Sequence, residues 1–306
     1  MRDGKKSTPA NIKVIGIGGG AISATNRMIE RGMQGVDYIA VSSDKYELEM
    51  SKAPTQILIG GKRILRLGHI DTSFYKESAE EARDTIIKHL CGADIVFVVV
   101  CMGGSMGSGA ASVAASCARD VGALAIAVST KPFAFEGPRR CRNAEAGINE
   151  LRNNSDTVIM ISNDSLLEAV DKKTMMTKVF EIMDDIIGRC VKSITDLISL
   201  SSLADVGLED IRMVLSAAKD AKMGYGNCKN GVQDAVMDAI RSPFLENGIE
   251  GSTGIILNVA GGKNASLPDM MAVKKFLENK CLLIPNCFGL LRLTKKWLVT
   301  NFELQP

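Results

Sequence analysis

Two glycine-rich segments, each directly after an apolar run, are the residues best suited to bind a ligand. Residues 16–21 read GIGGGA and residues 103–109 read GGSMGSG. Where such a loop begins a helix, its backbone N–H groups and the positive end of the helix dipole form a nest for an anion such as phosphate. The first segment alone also fits a dinucleotide site with Asp44 as the ribose acid, but neither segment ends in the Gly-Lys-Ser/Thr of a P-loop. Two nests favour the two or three phosphates of a mononucleotide.

Repeated strand–helix units are predicted to hold these loops in place. Apolar runs without alternation predict buried parallel strands that are covered by helices on both faces. These runs span residues 12–18, 38–44, 95–100, 123–133 and 157–164. Helices are predicted at residues 24–32 and 77–92, each closed by a glycine. Because ligands lie beyond the carboxyl ends of such strands, we expect the polar strand ends to line the site.

The second half of the chain predicts a long helix followed by a smaller unit. Residues 172–200 contain no proline and only one glycine, and their apolar positions recur at helical spacing. Helices at 231–241 and 268–279 and a strand at 254–262 then indicate a further α/β unit. The predicted fold class is α/β. The predicted divisions are a Rossmann-like parallel-sheet domain at 1–174, a long central helix at 175–200 and a second, smaller α/β domain at 201–306.

Composition excludes several classes of function. The 306 residues carry a net charge of +2 with acids and bases interspersed, which argues against a nucleic-acid partner. No apolar run approaches the ~20 residues of a membrane span, and no signal-peptide pattern opens the chain. The eight cysteines form no C-x-x-C pair, and the two histidines make a nucleophilic triad a poor hypothesis. We expect a cytoplasmic protein without direct membrane insertion.

Six blocks of the sequence together resemble the FtsZ family of bacterial cell-division GTPases, in the tubulin superfamily. The blocks are GIGGGAISATNRMI, AVSSD, MGGSMGSGAA, TKPFAFEGPRR, ISNDSLLEAVDKK and SPFLENGIEGSTGIILNVAGG, and the resemblance covers roughly residues 11 to 270. It implies a tubulin-like fold that binds GTP or GDP with Mg²⁺. It also implies head-to-tail self-assembly into filaments of the septal ring at the division site, with contacts to other division proteins.

The resemblance also assigns nucleotide-binding positions. It places phosphate contacts on the first loop, a glycine-rich signature on the second, ribose contacts on the FEGPRR block, and guanine contacts on the long helix. Phe180 would stack on guanine, and the Asp184 carboxylate would accept its N1–H and exocyclic amine, which adenine cannot offer. The full set is Gly19, Gly20, Ala21, Ser23, Asp44, Gly103, Gly104, Met106, Gly107, Ser108, Glu136, Arg140, Asn163, Phe180 and Asp184. Ser23 stands at a family asparagine and Met106 at a family threonine.

Ordinary structural roles are open for four of these residues. Asn163 follows a strand and could be a helix cap. Glu136 and Arg140 could form a surface i,i+4 ion pair of about 0.3–0.5 kcal/mol. Asp184 could be one acid of a solvated pair with Asp185.

Hydrolysis in this family depends on a loop that a second subunit inserts, whose acids orient the attacking water. Its pattern N-x-D-x-x-D falls here on Asp205, Gly207 and Asp210, so the middle acid is missing. Loss of an orienting carboxylate costs on the order of 10²–10⁴ in rate. We therefore expect GTP binding with weakened hydrolysis, catalysed by Asp210 and Asp205. The alternatives are a non-hydrolysing paralogue that acts as a structural or regulatory filament component and, more remotely, a nicotinamide-dependent oxidoreductase.

Two further stretches depart from the family pattern. RLGHIDTSFY (66–75) replaces a turn that senses the γ-phosphate, so the coupling of nucleotide state to assembly is expected to differ. After about residue 280 the family's flexible linker and terminal peptide are not recognisable. Residues 290–298 are predicted to form a truncated edge strand of the second domain rather than an amphipathic membrane-binding end.

Overall fold

The structure is a computed structural model. It describes residues 10–60, 71–199, 207–216, 219–228, 231–245, 254–261, 268, 271, 273, 287–293 and 297–305. The strands within these ranges are β1 (Ile12–Ile17), β2 (Val36–Ser42), β3 (Thr55–Leu58), β4 (Ile95–Cys101), β5 (Leu124–Lys131), β6 (Thr157–Ser162), β7 (Asp220–Cys228), β8 (Gly254–Gly261), β9 (Cys287–Leu293) and β10 (Trp297–Gln305).

One sheet contains all of these strands, in the order β3-β2-β1-β4-β5-β6-β7-β10-β8-β9. The strands from β3 to β7 run parallel, and β10 pairs antiparallel with both β7 and β8. β4 is fully buried over residues 95–100, and β5 over residues 124–130. Their unbroken apolar sequence follows from this burial, because a strand covered on both faces has no solvent side that needs polar residues.

Helices cover both faces of the parallel part of the sheet. They are α1 (Gly19–Glu30), α2 (Lys45–Glu49), α3 (Thr72–Glu81), α4 (Arg83–Leu90), α5 (Ser105–Asp120), α6 (Pro138–Asn154), α7 (Asn163–Ala169), α8 (Met176–Ser199), α9 (Leu208–Ser216) and α10 (Val232–Ile240). Two separate apolar clusters lie on the two sides, one containing α1 and α8 and the other containing α5. The α/β fold class predicted from the sequence is confirmed.

The small residues of α5 allow unusually close packing. A Cβ on Gly107 would lie 2.9 Å from the carbonyl oxygen of Cys101 in β4, and one on Gly109 would overlap the carbonyl oxygen of Thr72 in α3. From the other side, Gly147 of α6 approaches the backbone of α5 in the same way. The glycines of the second loop therefore also hold α5 against β4 and α3, which fixes where α5 begins.

Several predicted bounds are wrong by a few residues, and one helix divides. The helix predicted at 24–32 begins at Gly19, so the glycine loop is its first turn. The segment 77–92 forms α3 and α4, because the backbone of Ala82 leaves the helical region at a residue type that gives no sequence signal. The long helix predicted from residue 172 begins at Met176.

The smaller unit contains a strand that the sequence reading missed. β7 is glycine-rich at residues 224–226, where a Cβ would overlap the backbone of α10, so its sequence lacks the apolar signature of a strand. Of residues 290–298, residues 290–293 belong to β9 at the sheet edge and 297–298 to β10 inside the sheet, and 294–296 lie outside the described residues. The helix predicted after Pro268 lies mostly outside the described residues. The domain divisions at 174 and 200 stay a prediction.

Candidate functional site

A cleft of about 720 Å³ lies at the carboxyl ends of the parallel strands. It is lined by residues that follow β1, β2, β4, β5 and β6 and by the first half of α8. The predicted residues that line it are Gly19, Gly20, Ser23, Asp44, Gly104, Met106, Gly107, Glu136, Arg140, Asn163, Phe180 and Asp184. The fold thus brings together residues that lie up to 165 positions apart in the sequence.

Two helix N-termini face this cleft. α1 begins after Gly18, whose φ of 80° is in the left-handed region, and α5 begins after Gly104. Neither N-cap provides a side-chain hydrogen bond, and neither first turn contains an acidic residue. The first N–H groups of a helix have no partner within the helix and carry its positive dipole end. The cleft therefore presents two sets of backbone donors suited to anionic oxygens.

Three of the predicted residues lie behind the cleft and do not line it. Ala21 is fully buried in the apolar cluster under α1, because its methyl group faces the sheet. Gly103 forms the turn before α5 with a φ of 104°. The Oγ of Ser108 is turned inward and accepts the N–H of Gly103 at 3.0 Å. Gly103 and Ser108 shape the second glycine loop from within, whereas Ala21 packs beneath α1. A direct contact between these three residues and a ligand stays a prediction.

Arg140 places a positive charge beside the second loop. Its guanidinium binds the Glu136 carboxylate at 2.7 Å and lies next to Gly104, where a Cβ would be 3.8 Å from Nη2. The other Glu136 oxygen accepts the N–H of Phe133 at 2.8 Å, which anchors the pair to the turn after β5. The ion pair is therefore real, but Arg140 is also half exposed to the cleft at the N-terminus of α5, where it can contact an anion.

Asp184 and Asp185 occupy different environments on α8. The Asp185 carboxylate is paired with Arg27 at 2.7 Å and with Arg31 at 2.5 Å. Asp184 faces the cleft, and one of its oxygens accepts the hydroxyl of Ser23 at 2.8 Å. Burial raises the pKa of Asp184 to about 6, partly offset by the Ser23 hydrogen bond. The two acids are thus not a solvated pair: Asp184 is an acceptor aimed into the cleft.

Asn163 contributes a buried amide oxygen that has no hydrogen-bond partner. Its Oδ1 has no hydrogen bond, although the residue is only 7% exposed and lines the cleft. The capping role is filled by Ser162, whose Oγ accepts the N–H of Ser165 at 3.4 Å. A buried amide oxygen left unpaired costs about 1–3 kcal/mol, so a bound polar group that donates to it would recover that free energy.

Aromatic side chains form one wall of the cleft. Phe180 is 52% exposed, and the centroid of its ring lies 5.9 Å from that of the buried Phe133, edge to face. This contact positions the Phe180 ring, while about half of the side chain stays exposed. A flat ring could stack on Phe180 and gain about 0.5–1.5 kcal/mol beyond the free energy of burying its apolar surface.

Glu47 and Tyr75 are among the cleft residues that sequence reasoning missed. Glu47 comes from α2, a helix of five residues that is too short for a periodic signal. Tyr75 is in the first turn of α3, within the stretch whose departure from the family pattern was noted. The segment before it, residues 61–70, lies outside the described residues.

The acidic loop predicted for hydrolysis does not reach the cleft within the described part of the chain. Asp205 lies outside the described residues. Asp210 is in the first turn of α9, where its Oδ2 accepts the N–H of Gly207 at 2.9 Å. No residue of α9 lines the cleft. Asp210 is therefore not placed to contact a ligand in the cleft of its own subunit.

The described residues contain neither a cluster of metal ligands nor a helix that could span a membrane. Among the residues that the structure describes, no three His, Cys, Asp or Glu side chains cluster closely enough to hold a metal ion. Mg²⁺ commonly binds through substrate phosphates and only one or two carboxylates, so the cleft fits it only together with a phosphate ligand. None of the described helices is both long and apolar enough to cross a membrane.

A second cavity, of about 470 Å³, lies between the end of α1 and the middle of α8. Most of its charged residues pair with one another, as Arg27 and Arg31 do with Asp185, and Lys192 with Asp196. Arg189 lies over the ring of Tyr225 instead. The first cleft, with its unpaired donors and acceptors, is therefore the candidate site.

Comparison with known proteins assigns the family. Residues 11–171 match the GTPase domain of the Tubulin/FtsZ family, and residues 219–282 match the C-terminal domain of the FtsZ family. The chain belongs to the Tubulin/FtsZ family. An FtsZ dimer from M. jannaschii is 28% identical, with a TM-score of 0.88 over 98% of this chain and 89% of that one.

More distant solved structures share the fold. CetZ2 from Haloferax volcanii, a GTPγS-bound protofilament, is 18% identical with a TM-score of 0.80, over 96% of this chain and 92% of that one. CetZ from Methanosaeta thermophila is 14% identical with a TM-score of 0.80, over 97% and 87%. Membership of this family makes the protein tubulin-like, and the family's first domain is a GTPase domain.

Proposed function

We propose that this chain is a GTP-binding, self-assembling protein of bacterial cell division that hydrolyses GTP at the contact between subunits. One observation carries the proposal. The Asp184 carboxylate, which accepts only the Ser23 hydroxyl, and the unpaired Asn163 Oδ1 face the same cleft as two helix N-termini without side-chain caps. A guanosine phosphate presents the matching groups, donors on the base and anionic oxygens on the tail.

Asp184 and Phe180 would select the base. An ionised carboxylate accepts two hydrogen bonds from adjacent donors, which guanine offers at N1 and its exocyclic amine. Adenine presents an acceptor at N1, so its binding would leave the half-buried Asp184 charge with the Ser23 hydroxyl alone. A site built around such a polar pair rejects the wrong partner by a factor of about 10⁴–10⁵ at best.

The phosphate tail would lie between the two glycine loops. The N-termini of α1 and α5 offer backbone donors, and the Arg140 guanidinium adds a fixed positive charge beside the second loop. These groups bind charge that is present in both GTP and GDP. They supply affinity and position, while hydrolysis needs a further group that orients a water.

A second subunit would supply that group. Asp210 lies outside the cleft, on a helix that follows the long α8. The M. jannaschii relative is described as a dimer and the Haloferax volcanii relative as a GTPγS-bound protofilament. These relatives support self-assembly as the step that brings Asp210 of one copy to the nucleotide of the next. Assembly at the division site in the cytoplasm, with other division proteins, is part of the proposal.

One observation favours the alternative of a non-hydrolysing filament component. The Asp210 carboxylate already accepts the N–H of Gly207, which stands where an acid of the family pattern is missing. In the free subunit this carboxylate stabilises the start of α9. It would have to leave that bond, or use its second oxygen, to orient a water.

Sedimentation and phosphate release, measured in parallel over a range of protein concentrations, test the proposal. We expect GTP to produce sedimenting polymer, GDP to produce less, and turnover per subunit to rise above a critical concentration. Polymer with a flat, near-zero turnover would establish the non-hydrolysing alternative. Protein that stays monomeric and binds no guanine nucleotide would refute both.

A further inference from the structure

The second cavity, between the end of α1 and the middle of α8, has the size of a ligand site. Its volume of about 470 Å³ falls within the ~300–1,000 Å³ of small-molecule pockets. Gly188 of α8 lines it, and a Cβ there would lie 3.4 Å from Cγ of the buried Met28, which lines it from α1. Because Gly188 has no side chain and Met28 is apolar, this part of the wall suits an apolar group.

A buried hydroxyl without a partner indicates where a polar ligand atom would bind. Thr195 of α8 lines the cavity and is 2% exposed, and its Oγ1 has no hydrogen bond. Helical serine and threonine hydroxyls can donate to the carbonyl oxygen four residues earlier, as Ser193 does to Arg189 at 2.7 Å. Since the Thr195 hydroxyl lacks even this bond, a ligand group that bonds to it would satisfy a polar atom that folding leaves unpaired.

Arg189 adds a positive charge to the cavity that no carboxylate neutralises. Within the described part of the chain its guanidinium makes no salt bridge, and its Cζ lies 4.2 Å from the centroid of the Tyr225 ring in β7. Each of the other cations of the cavity pairs with an acid; these are Arg27, Arg31 and Lys192. A guanidinium that stacks on a ring keeps the N–H groups of its edge available to a carboxylate. The cavity therefore favours an anionic group beside Arg189.

The spacing of these groups along α8 limits the shape of the ligand. Arg189 and Thr195 are six residues apart, which is about 9 Å along a helix axis. Gly188 and Thr195 are seven residues apart and so lie on the same face of the helix. A flat bicyclic molecule with a carboxylate at one end and a hydroxyl at the other matches this arrangement.

We propose that this cavity is a second ligand site, which binds a small amphipathic carboxylate. The carboxylate binds Arg189, and a hydroxyl at the far end of the ligand bonds to Thr195. The apolar body between them lies against Gly188 and Met28. Asp184 is a wall that the cavity shares with the first cleft, but the site is independent of the proposed function, because no nucleotide takes part in this binding.

Fluorescence titration of the purified full chain with three related compounds tests the proposal. 6-Hydroxy-2-naphthoate carries both polar groups, 2-naphthol lacks the carboxylate and 2-naphthoate lacks the hydroxyl. We expect 6-hydroxy-2-naphthoate to bind about ten-fold or more tightly than 2-naphthol, since a charge-assisted bond to Arg189 is lost in the latter. It should bind about 3–10-fold more tightly than 2-naphthoate, which cannot bond to Thr195.

Two substitutions assign these differences to the cavity. Arg189→Gln removes the charge, so it should bind 6-hydroxy-2-naphthoate about as weakly as wild type binds 2-naphthol. Thr195→Val keeps the shape but removes the hydroxyl, so it should bind 6-hydroxy-2-naphthoate and 2-naphthoate equally. Because the Thr195 hydroxyl has no protein partner to lose, this variant should be at least as stable as wild type in urea, and it tests the site even if Arg189→Gln misfolds.

Arg140→Gln is the matched control, since Arg140 lines the first cleft and not the second cavity. This variant should keep the wild-type affinity for 6-hydroxy-2-naphthoate. A loss of binding in Arg140→Gln but not in Arg189→Gln would place the compound in the first cleft and overturn the proposal. Equal affinities of wild type for all three compounds, or no binding of any of them, would overturn it as well.

Discussion

Replacing Asp184 with asparagine separates base recognition from every other contribution to binding. The side chain keeps its shape and can still accept the Ser23 hydroxyl, but it can no longer ionise. Since burial raises the pKa of Asp184 to about 6, the carboxylate of the free protein changes charge within an accessible pH range. The substitution therefore alters both the pH dependence of binding and the stability of the fold.

The size of the pH effect follows from that pKa. With a value of about 6, the carboxylate is roughly 90% ionised at pH 7 and roughly 10% ionised at pH 5. If only the ionised form accepts both guanine donors, GDP affinity falls about ten-fold between these pH values. The Asp184→Asn variant should bind GDP more weakly than wild type at pH 7, and its affinity should lack this ten-fold change with pH.

The contribution of Asp184 to the stability of the fold changes with pH in the opposite direction to its contribution to GDP affinity. A carboxyl whose pKa is raised on folding binds its proton more tightly in the native state, so it stabilises the fold below about pH 4 and loses this contribution as the pH rises through 6. The rise from 3.8 to about 6 corresponds to at most ~3 kcal/mol, which solvent screening of a half-buried group reduces to ~1–2. Nucleotide-free Asp184→Asn protein should be more stable than wild type by that amount at pH 7.

Calorimetric titration with GDP at pH 5, 6 and 7, combined with urea unfolding of the nucleotide-free proteins, measures both effects. The phosphate of GDP titrates in the same range, but it does so equally for both proteins, and the difference between them isolates Asp184. If wild type and Asp184→Asn showed the same change of GDP affinity with pH and the same free energy of unfolding, the assignment of Asp184 as the base-recognising carboxylate would be refuted.

Four further substitutions test separate parts of the structure. Asn163→Ala should lower GDP affinity about ten-fold by calorimetry yet cost less than ~0.5 kcal/mol in urea unfolding, because Oδ1 has no protein partner to lose; a large loss of stability with unchanged affinity would contradict this. Gly109→Ala should destabilise the protein by ~1–3 kcal/mol through overpacking against α3, whereas Gly188→Ala, whose nearest neighbour would be 3.4 Å away, should stabilise it by up to ~1 kcal/mol in the same assay. Asp210→Asn should lower concentration-dependent GTP turnover about 100-fold or more while leaving GDP binding intact, with the exposed neighbour variant Glu209→Gln as its control; turnover equal to wild type would exclude Asp210 from hydrolysis.

The parallel half of the fold could be predicted from the sequence because the signals for its strands are local. β4 and β5 are buried on both faces, so each strand reads as an unbroken apolar run. The division between α3 and α4 at Ala82 has no such signal, since the backbone changes direction without glycine or proline. β7 was missed because α10 packs against it so closely that glycine is needed where a strand would carry an apolar side chain.

The candidate site was predictable where residue type and position together carry the chemistry. The glycine loops mark the two helix N-termini, and the resemblance to the FtsZ family assigned Asp184 to the site. Glu47 was not predictable, because only the fold brings α2 against the start of α1. The separate environments of Asp184 and Asp185 were also invisible in the sequence, since they arise from Arg27 and Arg31 on a distant helix.

Competition between guanine and adenine nucleotides measures the central claim most directly. Purified full-length chain is titrated with GDP and with ADP in the presence of Mg²⁺, under identical conditions. The structure predicts that GDP binds at least ~100-fold more tightly than ADP, because only guanine satisfies the Asp184 carboxylate. Equal affinities for the two nucleotides, or no binding of either, would contradict the account.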